Sequence, residues 1–502
     1  MTWREYHEAT KHSVESLRRA QHVLDWANMP DPFRHYEGVP VLDLPADPPA
    51  PEMPALDVLQ GTCGTMTVGD GPTFLSQLLF YSAAISASKR VWSTGYKYAL
   101  RVNPSSGNLH PTEFHFLTRG LKGWPDGLYH YDPSRHMVEQ RGRGDFEMKL
   151  VSSSATIVFV LTSIVWREAW KYGERAYRYC LHDIGHAWQA LALSARAIGC
   201  DHFAVGHFVD DDVARMVQLN SDEWPMLIIS LHGESIPARK ADTGETVWFG
   251  GKANQLSKET IAHPLIDSIH FATKRSSIGS GETSFAESAS TGNGEIKLPS
   301  PASSTRIFSE VARMRRSALD FVGGKRSMSL AQLSAILAVT SQALSADFAG
   351  TRFIRLYLYA HRIDGLQPGV YRFWPERVEL EQIKSGDQRV AAAGLSLGQN
   401  LAGNACVAFS MIGDLERAAS THGDRGYRYV HLEAGALGHR LYLAAEALGL
   451  GATGIGAFYD DEVQRHLNLA PNQGQVVYHF AIGYPVPDPR VSVSNEPKEI
   501  TW

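Results

Sequence analysis

The chain has 502 residues, 44% of them hydrophobic and 20% charged, with a net charge of −5 at pH 7. That length exceeds what one hydrophobic core usually holds and suits two domains of roughly 200–250 residues. The charge balance, with no basic block longer than pairs such as Arg315-Arg316, excludes a nucleic-acid surface. The four cysteines (Cys63, Cys180, Cys200, Cys406) are scattered without CxxC spacing, which excludes a zinc or disulfide framework.

Residues 1–60 read as a helical N-terminal extension followed by a proline-rich strap, Pro45 to Pro54. The N-terminus lacks an apolar leader and no apolar run approaches 18 residues, so a cytoplasmic protein without membrane partners is expected. A first domain is read over 61–250, a connector over 251–304 that is densest in Ser, Gly and Thr from Ser276 to Ser304, and a second domain over 305–502.

The first domain carries Pro104-Ser105-Ser106-Gly107-Asn108-Leu109-His110-Pro111, a loop dense in hydrogen-bonding groups between prolines. It suits a polyhydroxylated or phosphorylated ligand and equally an ordinary turn. Arg101 stands four residues before Ser105, Lys171-Tyr172 follows later, and Arg175-Ala-Tyr177-Arg178-Tyr179 then opens a long helical pattern that stops at Gly199. On that helix His182 and His186 have the i, i+4 spacing of a zinc site. No Glu follows the first His, so both are read as packing or surface histidines and no metal is expected. Met226 to Leu231 reads as a strand.

The second domain opens with Arg315-Arg316-Ser317, two guanidinium groups beside a hydroxyl. That grouping makes a phosphate clamp or an exposed charged helix start. Thr351-Arg-Phe-Ile-Arg355, aligned with the serine loop, runs directly into a strand, so the loop has no counterpart here. Arg425-Gly-Tyr427-Arg428-Tyr429 opens a second long helix. Leu437, Leu441, Ala444, Ala445 and Leu448 give it a small or aliphatic face suited to close packing on another helix. Gly449, Gly451 and Gly454 match G-x-G-x-x-G, but a helix precedes them where a dinucleotide site needs a strand, so Gly449 is read as a helix-ending residue. Val476 to Ile482 is the last predicted strand.

Residues 175–213 and 425–463, offset by 250 positions, share 15 of 39 residues without a gap. Both stretches end on an apolar loop and an acidic pair, Val205-Gly206-His207-Phe208 with Asp210-Asp211, and Ile455-Gly456-Ala457-Phe458 with Asp460-Asp461. The period is too long for a solenoid and points to a duplicated domain, the fusion of a homodimer into one chain.

Together these motifs make the chain resemble the FMN-dependent nitroreductase superfamily, in its SagB/ThcOx-type dehydrogenase branch and tandem form. The residues that carry the resemblance are the serine loop, Arg315-Arg316-Ser317, both Arg-x-Tyr-Arg-Tyr segments and Gly454 to Phe458. The resemblance implies an α+β fold of two tandem nitroreductase-like domains, each a central mixed or antiparallel sheet flanked by helices, paired as an intramolecular pseudo-dimer. It implies FMN between the halves, with Arg315, Arg316 and Ser317 at the phosphate and Gly454, Ile455, Gly456 and Ala457 along the ring. The Gly456 N–H would face N5, while Pro104, Ser105, Ser106 and Asn108 touch the ring edge and ribityl chain. Arg101 would stand near the N1–O2 edge or serve only as a strand-end residue. Because each half keeps parts the other lacks, one composite site and one FMN per chain are expected. The implied activity is hydride transfer at flavin N5, with NAD(P)H as a candidate reductant and a small molecule or a modified peptide as substrate. Lys171 and Tyr172 resemble the pair found in peptide azoline dehydrogenases, which leaves azoline oxidation beside generic nitro or quinone reduction. The alternative is a catalytically degenerate pseudo-dimer serving as a scaffold in a peptide-modifying complex. The resemblance implies a pseudo-dimer within one chain, with a monomer as one candidate state beside further pairing of the fused chain.

Overall fold

The structure is a computed structural model that describes residues 1–19, 23–66, 68–146, 155–242, 244–277, 294–324, 326–348 and 352–493. Its centre is a pair of 22-residue helices, Ala176–Ala197 and Gly426–Ala447, the two copies of the duplicated segment. Nearly every residue of both is buried, and for the second helix this agrees with its small and aliphatic face. They cross where Gly185 meets Gly435. A Cβ on Gly185 would lie 2.2 Å from the Leu432 carbonyl oxygen, and one on Gly435 would lie 2.2 Å from that of His182. Glycine is what lets the two backbones approach so closely at that point. Each helix ends as expected on a glycine with positive φ, Gly199 at 92° and Gly449 at 72°.

Each half wraps one helix with a sheet of the same strand order. In the first half the order is Val247–Trp248, Met137–Arg143, Gly127–Asp132, Thr112–Thr118, Ile157–Ser163, Trp224–His232, Asp201–Val205. In the second it is Ile296–Lys297, Glu379–Ser385, Gly369–Trp374, Ile354–Ala360, Val407–Gly413, Gln475–Gly483, Gly451–Ile455. The pairings along both paths are antiparallel, so the fold is the expected α+β tandem. The predicted strands at Met226–Leu231 and Val476–Ile482 fall within the nine-residue strands that stand next to one edge of each sheet. Residues 278–293, most of the Ser/Gly-rich stretch, lie outside the described residues.

The halves interlock at both ends. The strap reaches the second half through Phe308 N to Met53 O (2.7 Å) and Ala55 N to Arg306 O (2.9 Å). The strand Val491–Val493 of the second half pairs with Ile85–Arg90 of the first, which also pairs with Lys97–Arg101. The segment 251–304 is more than connector, because it holds a helix, Pro264–Thr273. Tyr6-His-Glu-Ala-Thr-Lys11 at the N-terminal helix Trp3–Ala9 is echoed there by Ile269-His-Phe-Ala-Thr-Lys274. The contacts are echoed too. Arg178 donates to Thr10 Oγ1 and the His7 carbonyl, while Arg428 donates to Thr273 Oγ1. Lys11 pairs with Asp461, and Lys274 with Asp211. We therefore read this helix as the opening element of each repeat.

The geometry also gives the Arg-x-Tyr-Arg motif its role. Arg175 and Arg178 of the first half bond Asp460 of the second, at 3.0 and 2.9 Å. Arg425 and Arg428 bond Asp210 in return, at 2.6 and 2.7 Å. All six side chains are buried, so each motif clamps the acidic residue that follows the other half's apolar loop.

Candidate functional site

A cavity of about 750 Å³ opens between the halves, within the range of small-molecule and cofactor sites. Three stretches far apart in sequence line it: Arg101 with Pro104 to Asn108 from the first half, and Arg315 to Ser317 and Gly454 to Ala457 from the second. Tyr172 lines it as well. Lys171 stands beside it, since a Cβ on Gly107 would lie 3.1 Å from Lys171 Nζ and 2.7 Å from Tyr172 Oη. The sequence-predicted residues are thus brought together, with differences in what each presents.

The serine loop is a strained turn, with Gly107, Asn108 and His110 all at φ between 50° and 60°. It is pinned from the first core helix. Asp183 accepts from Ser105 Oγ (2.7 Å), Ser106 Oγ (3.0 Å) and Ser106 N (3.0 Å). Asn108 Nδ2 donates to the Ala99 carbonyl (2.9 Å).

Arg315 and Arg316 are less available than a free clamp would be. Arg315 Nε and Nη2 donate to the carbonyls of Val102 (3.0 Å) and Arg101 (3.2 Å), which ties the clamp to the base of the serine loop. Its Nη1 has no hydrogen-bond partner among the described residues. Arg316 spends both terminal nitrogens on the carbonyls of Arg313, Arg315 and Ser86, leaving Nε unpartnered among those residues. Burial pulls the Arg316 guanidinium down to about 9, helped by Arg315 and Arg313 beside it. Two forks facing a phosphate, as the residue types alone suggest, are not what the fold presents. Each arginine keeps one unpaired N–H edge, closed off from solvent. Ser317 Oγ bonds Tyr442 Oη (2.8 Å), which also accepts from Gly454 N (2.8 Å), so one tyrosine locks the clamp to the ring loop. Arg101 ends a strand but is buried, its Nη2 on the Pro32 carbonyl (2.6 Å) and its guanidinium 5.0 Å over Phe33. Its charge is engaged by the N-terminal extension, ahead of the strap.

The ring loop is held from the other half. Tyr179, the last residue of the first Arg-x-Tyr-Arg-Tyr segment, donates to the Gly456 carbonyl (3.0 Å). A Cβ on Gly456 would lie 2.5 Å from the Tyr179 ring, so glycine is required for that approach. The N–H groups of Gly456 and Ala457 have no acceptor among the described residues.

At the pseudo-equivalent place in the other half the same atoms are taken. Asp347 accepts from Gly206 N (2.7 Å) and His207 N (3.0 Å), and Phe348 stacks on Tyr429 with centroids 4.3 Å apart. A Cβ on Gly206 would lie 2.6 Å from both the Phe348 and Tyr429 rings. The chain's own residues therefore fill the position that is open beside Gly456.

Sequence reasoning missed Asp183, Tyr442 and Tyr478. The two histidines of the zinc-like spacing pack on Tyr478. His182 stacks on its ring at 4.3 Å, and His186 Nε2 bonds its hydroxyl at 3.1 Å. Away from the cavity, His35, Asp132 and Glu139 cluster, with Arg135 already bonding both carboxylates (2.5 and 3.2 Å).

A model of the Nitroreductase family matches residues 84–233 and 312–484, one stretch in each half. The chain belongs to the nitroreductase family. A crystal structure from Anabaena variabilis, of a protein provisionally named a nitroreductase, shares 26% identity with a TM-score of 0.78. That match covers 96% of this chain and 99% of that one, so both halves are matched together. A provisionally named nitroreductase of Methanocaldococcus jannaschii is 34% identical over 116 residues, 23% of this chain and 59% of that protein's length. The fold is thus that of a nitroreductase-family oxidoreductase. No helix among the described residues is long and apolar enough to cross a membrane.

Proposed function

We propose that the chain is an FMN-dependent oxidoreductase with one composite flavin site, lying in the cavity between its halves. The carrying observation is that serine loop, arginine pair and ring loop, each incomplete alone, line that one cavity. The residues present fit the group. Arg315 Nη1 and Arg316 Nε are buried donors without a partner among the described residues, suited to a phosphate. Gly456 and Ala457 offer backbone N–H groups where the ring would lie, and the volume admits a ligand of that size.

When bound, FMN supplies hydride transfer at its N5. The chain's part is positioning and electrostatics. Tyr179 and Tyr442 hold the Gly454–Ala457 backbone so that its N–H groups point at fixed places. NAD(P)H is the reductant to test first.

A finer reading, oxidation of a peptide azoline, is favoured by one observation. Lys171 Nζ and Tyr172 Oη both reach the Gly107 turn, beside a substrate lying against the serine loop, where Lys171 acts as a base only as the free amine and Tyr172, kept protonated by burial, serves as a donor. Spectra of purified protein, and bleaching by NADPH under anaerobic conditions, test the main reading. A yellow protein bleached by NADPH is expected. A protein that stays colourless with added FMN would favour the scaffold role instead.

A further inference from the structure

We propose that Glu168 and Asp183 form a proton-sharing carboxyl pair that fixes the Ser105–Ser106 turn as a hydrogen-bond-accepting surface, making both of them positioning residues of the flavin site. The proposal rests on the flavin reading above and assigns the polarity with which one wall of that site meets its ligand.

The polarity follows from counting hydrogens. A serine hydroxyl has one hydrogen and two lone pairs. Ser105 Oγ and Ser106 Oγ both donate to Asp183, at 2.7 and 3.0 Å, so both hydrogens are spent. Ser105 Oγ also accepts from His110 N at 2.8 Å. What the two side chains have left for the cavity they line is lone pairs. The wall accepts, and the matching ligand groups are donors, such as ribityl hydroxyls or an imide N–H.

Glu168 keeps this arrangement in one protonation state. It lies on the helix Trp166–Tyr172, fully buried, and neither of its oxygens accepts a hydrogen bond from a donor among the described residues. Asp183 and Ser105 lie within hydrogen-bonding reach of it, and the Ser105 hydrogen is already given to Asp183. Two facing carboxyl groups bond only if one carries a proton. Asp183 is served by three donor groups and Glu168 by none, so the proton sits on Glu168 and is donated to Asp183. Lys171 and Tyr172 on the same helix, Cys180 on the core helix and Tyr478 from the second half are the other titratable groups facing the pair. Burial pushes the Asp183 carboxyl up to about 7 against the pull of Ser105 and Ser106, and burial with Asp183 nearby also pushes the Glu168 carboxyl well above its ordinary value.

The duplication supplies a control. At the positions 250 residues on stand Glu433 and Ala418. Glu433 accepts from Phe353 N (2.9 Å) and Ile354 N (3.0 Å), with no hydroxyl presented and no second carboxyl at Ala418. The pair exists only in the half whose loop lines the open cavity.

The test is FMN affinity, read by flavin fluorescence between pH 5.5 and 8.5, for wild type, Asp183→Asn, Glu168→Gln and Glu168→Leu. As pH falls through about 7, Asp183 takes a proton and a serine hydrogen turns toward the ligand. Wild-type affinity should then drop about tenfold more than that of Asp183→Asn, the worth of one hydrogen bond. Comparing the two proteins cancels the titration of the FMN phosphate itself. Glu168→Gln, still a donor to Asp183, should bind as wild type does at pH 8, and Glu168→Leu about tenfold more weakly. Parallel pH curves for wild type and Asp183→Asn, or full affinity in Glu168→Leu, would overturn the pairing. The Glu168 variants decide the matter even if Asp183→Asn does not fold. Wild type that binds no FMN at any pH would instead overturn the flavin reading beneath it.

Discussion

Asp460 and Asp210 each neutralise two buried arginines of the opposite half, an arrangement costly to break from one side. Asp460→Ala leaves Arg175 and Arg178 without their carboxylate and should cost about 3–5 kcal/mol, read as a fall in Cm by denaturant titration. Burial alone would raise the Asp460 carboxyl, but Arg175 and Arg178 more than reverse this and hold it below its ordinary 3.8. A group depressed in the folded state stabilises fully above its unfolded pKa, and loses that contribution as pH falls through the folded value. The clamp should therefore be intact at neutral pH and fail only below about 3.8, with acid unfolding in that range by circular dichroism. Stability flat down to pH 2 would contradict it. At this scale the sequence was legible where a motif lines the cavity directly, as in the serine loop and the Gly454–Ala457 stretch. Asp183 was not, because its meaning depends on Ser105, 78 residues away, and its neighbours mimic a metal motif. Nor do residue types tell that the forks of Arg315 and Arg316 are spent on carbonyls.

The element that makes one molecule of two halves is the helix pair crossing at Gly185 and Gly435. Gly435→Ala puts a Cβ 2.2 Å from a backbone oxygen and should destabilise by about 3 kcal/mol or more, despite alanine's better helix propensity. Gly394→Ala, in the helix Arg389–Leu395 with nothing within 4 Å of the added atom, should instead stabilise by about 0.5–1 kcal/mol. Melting curves of the two variants check the pair, and equal shifts would mean the crossing is looser than described. Helix faces and the two nine-residue strands were readable from periodicity, since burial imposes it. The opening helix of the second repeat was not. It matches Trp3–Ala9 at an offset of 263 residues, where the rest of the duplication keeps 250, and in composition it belongs to the connector.

For the whole molecule, duplication followed by divergence has left two unequal interfaces. Beside Gly456 the cavity is open and lined by complementary parts. Beside Gly206 the backbone donors are capped by Asp347, and Phe348 packs over the glycine in addition to Tyr429, the counterpart of Tyr179 beside Gly456. The complementary losses were visible in sequence, since the serine loop has no partner near Thr351 and His207 replaces the residue matching Ala457. The plug was not visible, because a carboxylate and an aromatic ring acquire that role only when folded against Gly206. Asp347→Ala should lower stability by about 1–3 kcal/mol, by leaving two N–H groups unpaired, without creating a second flavin site while Phe348 remains. The central claim is most directly tested by titrating apoprotein with FMN and measuring the bound flavin-to-chain ratio at saturation. The account predicts one, falling toward zero in Arg315→Ala. A ratio near two would contradict it.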